Sequence, residues 1–231
     1  MSDNKETFYD ILRQSRLFIG LSENEFDLVC NEASPWTQKY EKNMRIWSQG
    51  DYIPYIDILE SGTITSQKYH LDGRVQIISS FTPPEIINLE APTSRKKTSP
   101  VFVVANTDCQ ILRINYDRLT NNKGIPEKIR LIIFANIAAY LADDSIRFMY
   151  KADVLSRRKV RDRVIAYLNI MRNQTNCDTV NIGMGQEEFA NYLSVDRTSL
   201  SEALNELKRD NLISFKKSSY TILYPAPKSW P

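Results

Sequence analysis

The 231-residue chain is 42% hydrophobic and 25% charged, with 30 Lys and Arg against 28 Asp and Glu, so it buries one large core or two small ones and is not a disordered chain. One histidine, His70, and three scattered cysteines, Cys30, Cys109 and Cys177, exclude a multi-histidine metal centre, a zinc ribbon, a four-cysteine cluster and a disulfide framework, and fit a reducing, cytoplasmic setting. The near-neutral total conceals a division: residues 151–231 hold 13 Lys and Arg against 9 Asp and Glu, whereas residues 1–150 hold 17 against 19, which suggests a sensing front and an anion-binding back.

The polar start MSDNKETFYD shows no signal peptide. Phe8, Ile11, Leu12, Leu17 and Phe18 recur at helical spacing. Ser22 and Glu25 form a capping box for a second helix, with Leu21 and Phe26 at the flanking hydrophobic-staple positions. From about Thr37 to Asn115 the pattern turns to short β-branched segments at 44–47, 55–59, 62–65, 75–78 and 101–104. Turn residues punctuate them: Gly50-Asp51, Ser61-Gly62, Pro83-Pro84 and the hairpin signal Asp72-Gly73. Close, regular spacing of short strands predicts a small sandwich or barrel.

Pro126 opens a long helix, and no Gly or Pro follows until Gly183. Residues 131–142 are apolar except Asn136, a run too short to span a bilayer. A helix apolar all round needs cover on more than one side. One reading is a homodimer through this helix, with Ile129, Ile132, Ile133, Asn136, Ile137 and Tyr140 facing the second copy and Asn136, Asp143 and Asp144 setting register. The other is ordinary core burial within one chain. A second amphipathic helix follows, with Val160, Val164, Tyr167, Leu168 and Met171 on one face and Arg157, Arg158, Lys159, Arg161 and Arg163 at its start and opposite face.

Residues 184–224 carry the strongest pattern. A short helix over 186–193 buries Phe189, Ala190 and Leu193; Ser194-Val195-Asp196 turns, and Asp196 caps a helix beginning at Arg197. In that helix Leu200, Leu204 and Leu207 recur at inward spacing, leaving Arg197, Thr198, Ser201, Glu202, Asn205 and Lys208 outward. Such side chains read base edges. A hairpin follows, with Lys216 and Lys217 at its turn. Helix, tight turn, capped polar helix and basic hairpin, in that order, read as a winged helix-turn-helix.

The phrase QEEFANYLSVDRTSLS over residues 186–201, followed by Leu204, Leu207 and Asn211-Leu212-Ile213, resembles the DNA-binding domain of the Crp/Fnr superfamily of bacterial transcription regulators. Leu17-Phe18-Ile19-Gly20-Leu21-Ser22, Gly50-Asp51, Ile58-Leu59-Glu60-Ser61-Gly62, Leu71-Asp72-Gly73-Arg74 and Ala105-Asn106-Thr107-Asp108-Cys109 resemble its front half in the same order. The resemblance implies an α+β chain: a cyclic-nucleotide-binding-like β-roll over residues 1–124, a dimerisation helix and hinge over 125–155, and a winged helix over 156–231. It implies a homodimer on a pseudo-palindromic double-stranded DNA site, RNA polymerase as a partner of an activator, and a small-molecule effector at the roll.

The departures from the family pattern matter as much. Cyclic-nucleotide binders of the family carry a Gly, a Glu on the ribose, and an Arg and Ser on the phosphate; those places hold Asn88, Leu89, Ser99 and Pro100 here. Without the bidentate arginine, cyclic AMP is not expected to bind well. A haem branch would need His70 or Cys109 as a ligand, and no cofactor is assigned. In the recognition helix many members carry Arg-Glu-x-x-x-Arg; Arg197 matches, while Thr198 and Glu202 replace the other two, so the target sequence is expected to differ. Base contacts are expected from Arg197, Thr198, Ser201, Glu202 and Asn205, and phosphate contacts from Arg157, Arg158, Gln186, Ser199, Lys208, Lys216 and Lys217. No catalytic constellation or metal site stands out, so the chain is not expected to be an enzyme. The rival reading is a β-roll effector or interaction module whose winged helix no longer binds DNA.

Overall fold

The computed structural model describes residues 10–69 and 75–225; Phe8, His70 and Leu71-Asp72-Gly73-Arg74, where a hairpin turn is expected from sequence, lie outside them. The chain divides into two compact units, the first ending at Ala142 and the second beginning at Asp143. That division falls inside one long helix, Glu127–Ser156.

In the first unit, residues 10–14 are helical and a short 3-10 turn spans Arg16–Phe18. Helix α1 (Glu23–Ala33) starts as its sequence predicts: the Ser22 hydroxyl accepts from the Glu25 amide, while Glu25 Oε2 accepts from the Ser22 amide at 2.9 Å. Eight strands follow among the described residues: β1 (Trp36–Tyr40), β2 (Arg45–Trp47), β3 (Tyr55–Ser61), β4 (Ile64–Tyr69), β5 (Val75–Phe81), β6 (Ile86–Ile87), β7 (Phe102–Ala105) and β8 (Cys109–Asn115). They form two four-stranded antiparallel sheets, in the orders β1-β8-β3-β6 and β2-β7-β4-β5. The β4–β5 pairing runs out to Tyr69 opposite Val75. Gly62 at the β3–β4 turn has φ +84°, and an added Cβ would lie 2.7 Å from Cys109 Cβ; only glycine fits there.

Strand alternation sorts the core into two layers. Leu59 and Ile111 join Ile46, Ile64, Val103 and Ala105 in one cluster. Ile56, Ile58, Leu112 and Ile114, one residue out of phase, join the helical side chains Leu12, Leu17, Phe26, Val29, Ile129, Ile133 and Ile137 in another. Strand β3 is therefore buried on both faces. Its partner β8 was less visible in sequence, and the short elements β6, α2 (Glu90–Thr93) and α3 (Tyr116–Thr120) were not anticipated.

Helix α4 (Glu127–Ser156) begins where Pro126 allows, the Pro126 carbonyl accepting from Ile129 and Arg130. The structure corrects the expected dimer face. Ile129, Ile133 and Ile137 are buried in the first unit's own core. Asn136 Nδ2 donates to the carbonyls of Leu17 and Ile19 at 2.9 and 2.8 Å, and Tyr140 donates to Ile86 O at 3.2 Å. The reason is local: Asn136 satisfies two carbonyls left by the 3-10 turn, which fixes that face inward. Ile132 is half-buried. Leu131 and Phe134 lie outward instead, 60% and 39% exposed.

The second unit takes residues 143–156 of α4, then α5 (Val160–Thr175), β9 (Thr179–Asn181), α6 (Gln186–Tyr192), α7 (Arg197–Arg209), β10 (Ile213–Lys216) and β11 (Ser219–Ile222). The last two strands form the expected hairpin, and β9, which the sequence did not announce, adds a third strand in the order β10-β11-β9. One core holds Val154, Val164, Leu168, Phe189, Leu193, Leu200, Leu204, Leu207, Ile213 and Tyr220. Among the described residues no helix is long and apolar enough to cross a membrane.

Candidate nucleic-acid interface

Helices α6 and α7 meet at a tight turn whose geometry the sequence dictates. Ser194 adopts φ +55°, and the Val195 amide returns to Ala190 O at 3.0 Å. Asp196 then caps α7: Oδ1 accepts from the Ser199 amide at 2.8 Å and Oδ2 from the Ser199 hydroxyl at 2.6 Å. These hydrogen bonds hold the Asp196 carboxyl below the usual carboxylate range. Leu200, Leu204 and Leu207 are buried against the unit's core, with Ala203 beside them. Arg197, Thr198, Glu202, Asn205, Lys208 and Arg209 are exposed and Ser201 half-exposed. This places one polar face of α7 outward and its apolar stripe inward.

The expected base-contact residues Arg197, Thr198, Ser201, Glu202 and Asn205 thus share an accessible face. Glu202, Asn205, Lys208, Arg209 and Asn211 line one groove on it; Arg209 is absent from the contacts expected from sequence, although it follows Asn205 by four residues on the same helix, and Asn211 entered only through the family phrase. A second groove is lined by Gly183, Met184, Gly185, Gln186, Lys217 and Ser218, which brings Gln186 beside the hairpin turn. Lys217 adopts φ +55° in that turn, and Lys216 and Lys217 are both exposed.

Other expected phosphate contacts are engaged within the chain. The Ser199 hydroxyl is committed to Asp196. Lys208 Nζ lies 5.8 Å from the Phe215 ring centroid. Arg157 pairs with Asp153 at 2.7 Å, while Arg158 is exposed. Arg161 pairs with Glu206 at 3.0 Å and with Asp210, the latter hydrogen bond being the main cause that raises its pKa. Arg163 donates to Arg157 O at 2.9 Å and to Leu193 O at 2.8 Å. The run of arginines read as one basic face is therefore a set of internal ties at 157, 161 and 163.

In the roll, the four places of the nucleotide cassette do not present a polar cradle. Leu89 is fully buried in the core shared with α1 and α4. Ser99, 2% exposed, donates its hydroxyl to Val101 O at 2.7 Å. Asn88 adopts φ +45°, and Pro100 is exposed. Of the basic run beside them, Lys97 pairs with Asp117 at 2.8 Å, and Arg95 and Lys96 are exposed. The roll instead holds a charge pair that sequence reading missed. Asp57 and Arg113 stand opposite each other in β3 and β8, 2% and 7% exposed. Arg113 Nε donates to Asp57 Oδ1 at 3.1 Å, Trp47 Nε1 donates to Oδ2 at 2.7 Å, and the rings of Tyr40, Trp47 and Tyr55 surround the guanidinium. Burial pushes the Asp57 carboxyl up, against the pull of Arg113 and Trp47. No group of three His, Cys, Asp or Glu among the described residues has metal-binding geometry. Cys30, in the core, has a thiol pushed up to about 12 by burial.

Comparison with known proteins agrees with this geometry. Residues 37–121 match the cyclic nucleotide-binding domain and residues 162–226 the Crp-like helix-turn-helix domain. The chain is 25% identical to the transcriptional activatory protein AadR of Rhodopseudomonas palustris over 81% of its length and 77% of that protein's. It is 22% identical to the anaerobic regulatory protein of Haemophilus influenzae over 87% of its length and 78% of that protein's. Among solved structures, the Thermus thermophilus catabolite activator protein shares the fold at TM-score 0.53, with 22% identity and 90% and 93% of the two chains covered. A CooA mutant from Carboxydothermus hydrogenoformans shares it at TM-score 0.60, with 16% identity and 82% and 84% covered. With a β-roll ahead of a capped recognition helix and a lysine-tipped wing, and both halves matched in order, the chain belongs to the Crp/Fnr superfamily of transcription regulators.

Proposed function

We propose that the protein is a cytoplasmic, homodimeric regulator that reads a pseudo-palindromic duplex through α7 and is not an enzyme. The observation that carries this reading is the outward face of α7, capped by Asp196 and flanked by the lysines of the wing. Arg197, Thr198, Ser201, Glu202 and Asn205 enter the major groove. Arg197 suits a guanine edge and Glu202 a cytosine amine, so the half-site differs from one read by a helix with a second arginine at the place of Glu202. Arg158, Gln186, Lys216 and Lys217 hold phosphates. Two-fold symmetry sets half-sites about one helical turn apart.

The dimer forms through the outward side of α4, where Leu131 and Phe134 supply exposed apolar surface. The functional parts are the roll over 1–124, the helix over 125–155 and the winged helix over 156–231. An effector other than cyclic AMP acts at the roll, since the cassette offers Leu89 and Pro100 where a ribose carboxylate acceptor and a phosphate-binding hydroxyl are needed. RNA polymerase is the further partner if the regulator activates.

Selection of bound duplexes from random DNA, followed by salt titration of the winner, tests the DNA reading. A steep fall in affinity with salt and a pseudo-palindromic consensus are expected. Binding with no salt slope and no consensus would favour the rival module, whose arginines at 157, 161 and 163 serve only internal ties.

A further inference from the structure

The first turn of α5 reaches the turn that leads into the recognition helix and also that helix's far end. Arg163 bridges two backbone carbonyls: that of Arg157, in the joint between α4 and α5, and that of Leu193, which ends α6 and leads into the left-handed Ser194. Arg161, two residues earlier, holds Glu206 and Asp210 at the far end of α7. The joint itself is anchored from behind: Val154 is fully buried in the second unit's core, the Arg157 amide donates to Val154 O, and the Arg157 side chain pairs with Asp153. Beyond Leu193, two residues separate the bridged carbonyl from the Asp196 cap.

Arginine suits this place because its planar, permanently charged fork donates in two fixed directions and has no use for a carboxylate partner here. A carbonyl displaced by an ångström loses that fork, because hydrogen bonds weaken steeply with distance and angle. The joint at 157–159 and the turn at 193–195 therefore share one rigid spacer.

We propose that Arg163, aided by Arg161, is a positioning residue that couples the conformation of the α4–α5 joint to the placement of α7. A shift of the joint moves Arg157 O; the shared guanidinium then either carries the turn with it or releases it. In either case the start of the recognition helix responds to the end of the long helix without a ligand touching the winged helix. This inference rests on the reading of α7 as the DNA-reading element. Arg163 touches no DNA in it.

The test uses the full chain, a duplex selected with the wild-type protein and a random-sequence duplex of equal length. Arg163→Met keeps an unbranched apolar stem and removes the guanidinium donors. The expected result is a fall of about tenfold or more in affinity for the selected duplex. Affinity for the random duplex and the salt slope should stay unchanged, and amide hydrogen exchange over residues 193–199 should accelerate. Arg163→Lys, which keeps the charge but reaches one carbonyl at a time, is expected to fall between, and it carries the comparison if the methionine variant does not fold. Equal loss on both duplexes with a slope lower by about one would make Arg163 a phosphate contact and overturn the proposal. Unchanged affinity for the selected duplex would overturn it as well. Failure of the wild-type protein to bind any duplex would instead defeat the DNA reading, while the exchange comparison would still decide whether the turn depends on Arg163.

Discussion

Replacing Asp57 by leucine isolates what holds the β-roll together where the two sheets meet. Wild-type Arg113 is 7% exposed, and its counter-charge Asp57 is 2% exposed. Removing one partner of a buried pair costs about 3–5 kcal/mol, because the other charge stays buried without compensation. The three rings at 4.6, 5.5 and 5.8 Å from the guanidinium remain and attract it still, each by about 0.5–2 kcal/mol, so the lower end, about 3 kcal/mol, is expected for Asp57→Leu. Arg113→Met leaves the opposite orphan, and its cost depends on pH. Without the guanidinium, only the Trp47 hydrogen bond still opposes the burial that raises the Asp57 pKa. A raised folded-state pKa contributes stability below the unfolded value of about 3.9 and loses it as pH rises through the folded value. Arg113→Met should therefore be closest to wild type near pH 4 and furthest from it at neutral pH. The double variant, with no charge left to bury, should lie within about 1–2 kcal/mol of wild type. Urea unfolding followed by tryptophan fluorescence is the assay, since Trp36 and Trp47 both lie in this unit and Trp47 hydrogen-bonds Asp57. A cost under about 1 kcal/mol for Asp57→Leu, or a double variant as unstable as the sum of the singles, would refute the reasoning.

Further outcomes follow from the same geometry. Ile133→Ala, at a fully buried site, should cost about 2–5 kcal/mol in the same unfolding assay, whereas Leu131→Ser with Phe134→Ser should leave stability near wild type and halve the mass seen by sedimentation. Gly62→Ala should destabilise the roll, because its φ of +84° and the approach of Cys109 leave no room for a Cβ; a thermal midpoint equal to wild type would count against that. Arg197→Ala should cost about 1–3 kcal/mol on the selected duplex and relax one base position, while Lys217→Ala should weaken all sequences alike and lower the salt slope by about one, both read by fluorescence anisotropy. The Asp196 carboxyl should titrate below the ordinary aspartate range by carbon-detected NMR, and the cap on α7 should weaken only as pH falls through that lowered value. Cyclic AMP should show no micromolar binding by titration calorimetry, in keeping with the Leu89 and Pro100 places.

Much of this molecule was legible in local signals. The Ser22–Glu25 box, Pro126 ahead of the long helix, and Asp196 ahead of α7 each work through bonds closed within three or four residues, so the sequence alone locates them. The leucine spacing of α7 likewise determined its inward and outward faces, because helical geometry is fixed at 3.6 residues per turn. The strand pattern announced a β-domain, and the order of its motifs the family.

What only the tertiary structure decided concerns side chains whose partners are distant in sequence. Asn136 was expected at a second copy, and it satisfies carbonyls at Leu17 and Ile19 more than a hundred positions away. Asp57 and Arg113 are 56 residues apart and meet only because β3 and β8 pair in that register. The arginines at 157, 161 and 163 looked like one basic surface, yet each is claimed by a carboxylate or carbonyl brought to it by folding. Composition and periodicity give the number of charges and the face of a helix; which charges remain for a ligand depends on long-range packing. Of the basic residues behind the surplus of four positive charges in residues 151–231, those at 157, 161 and 163 are held by partners within the chain, while Arg158, Arg197, Lys216 and Lys217 stay exposed.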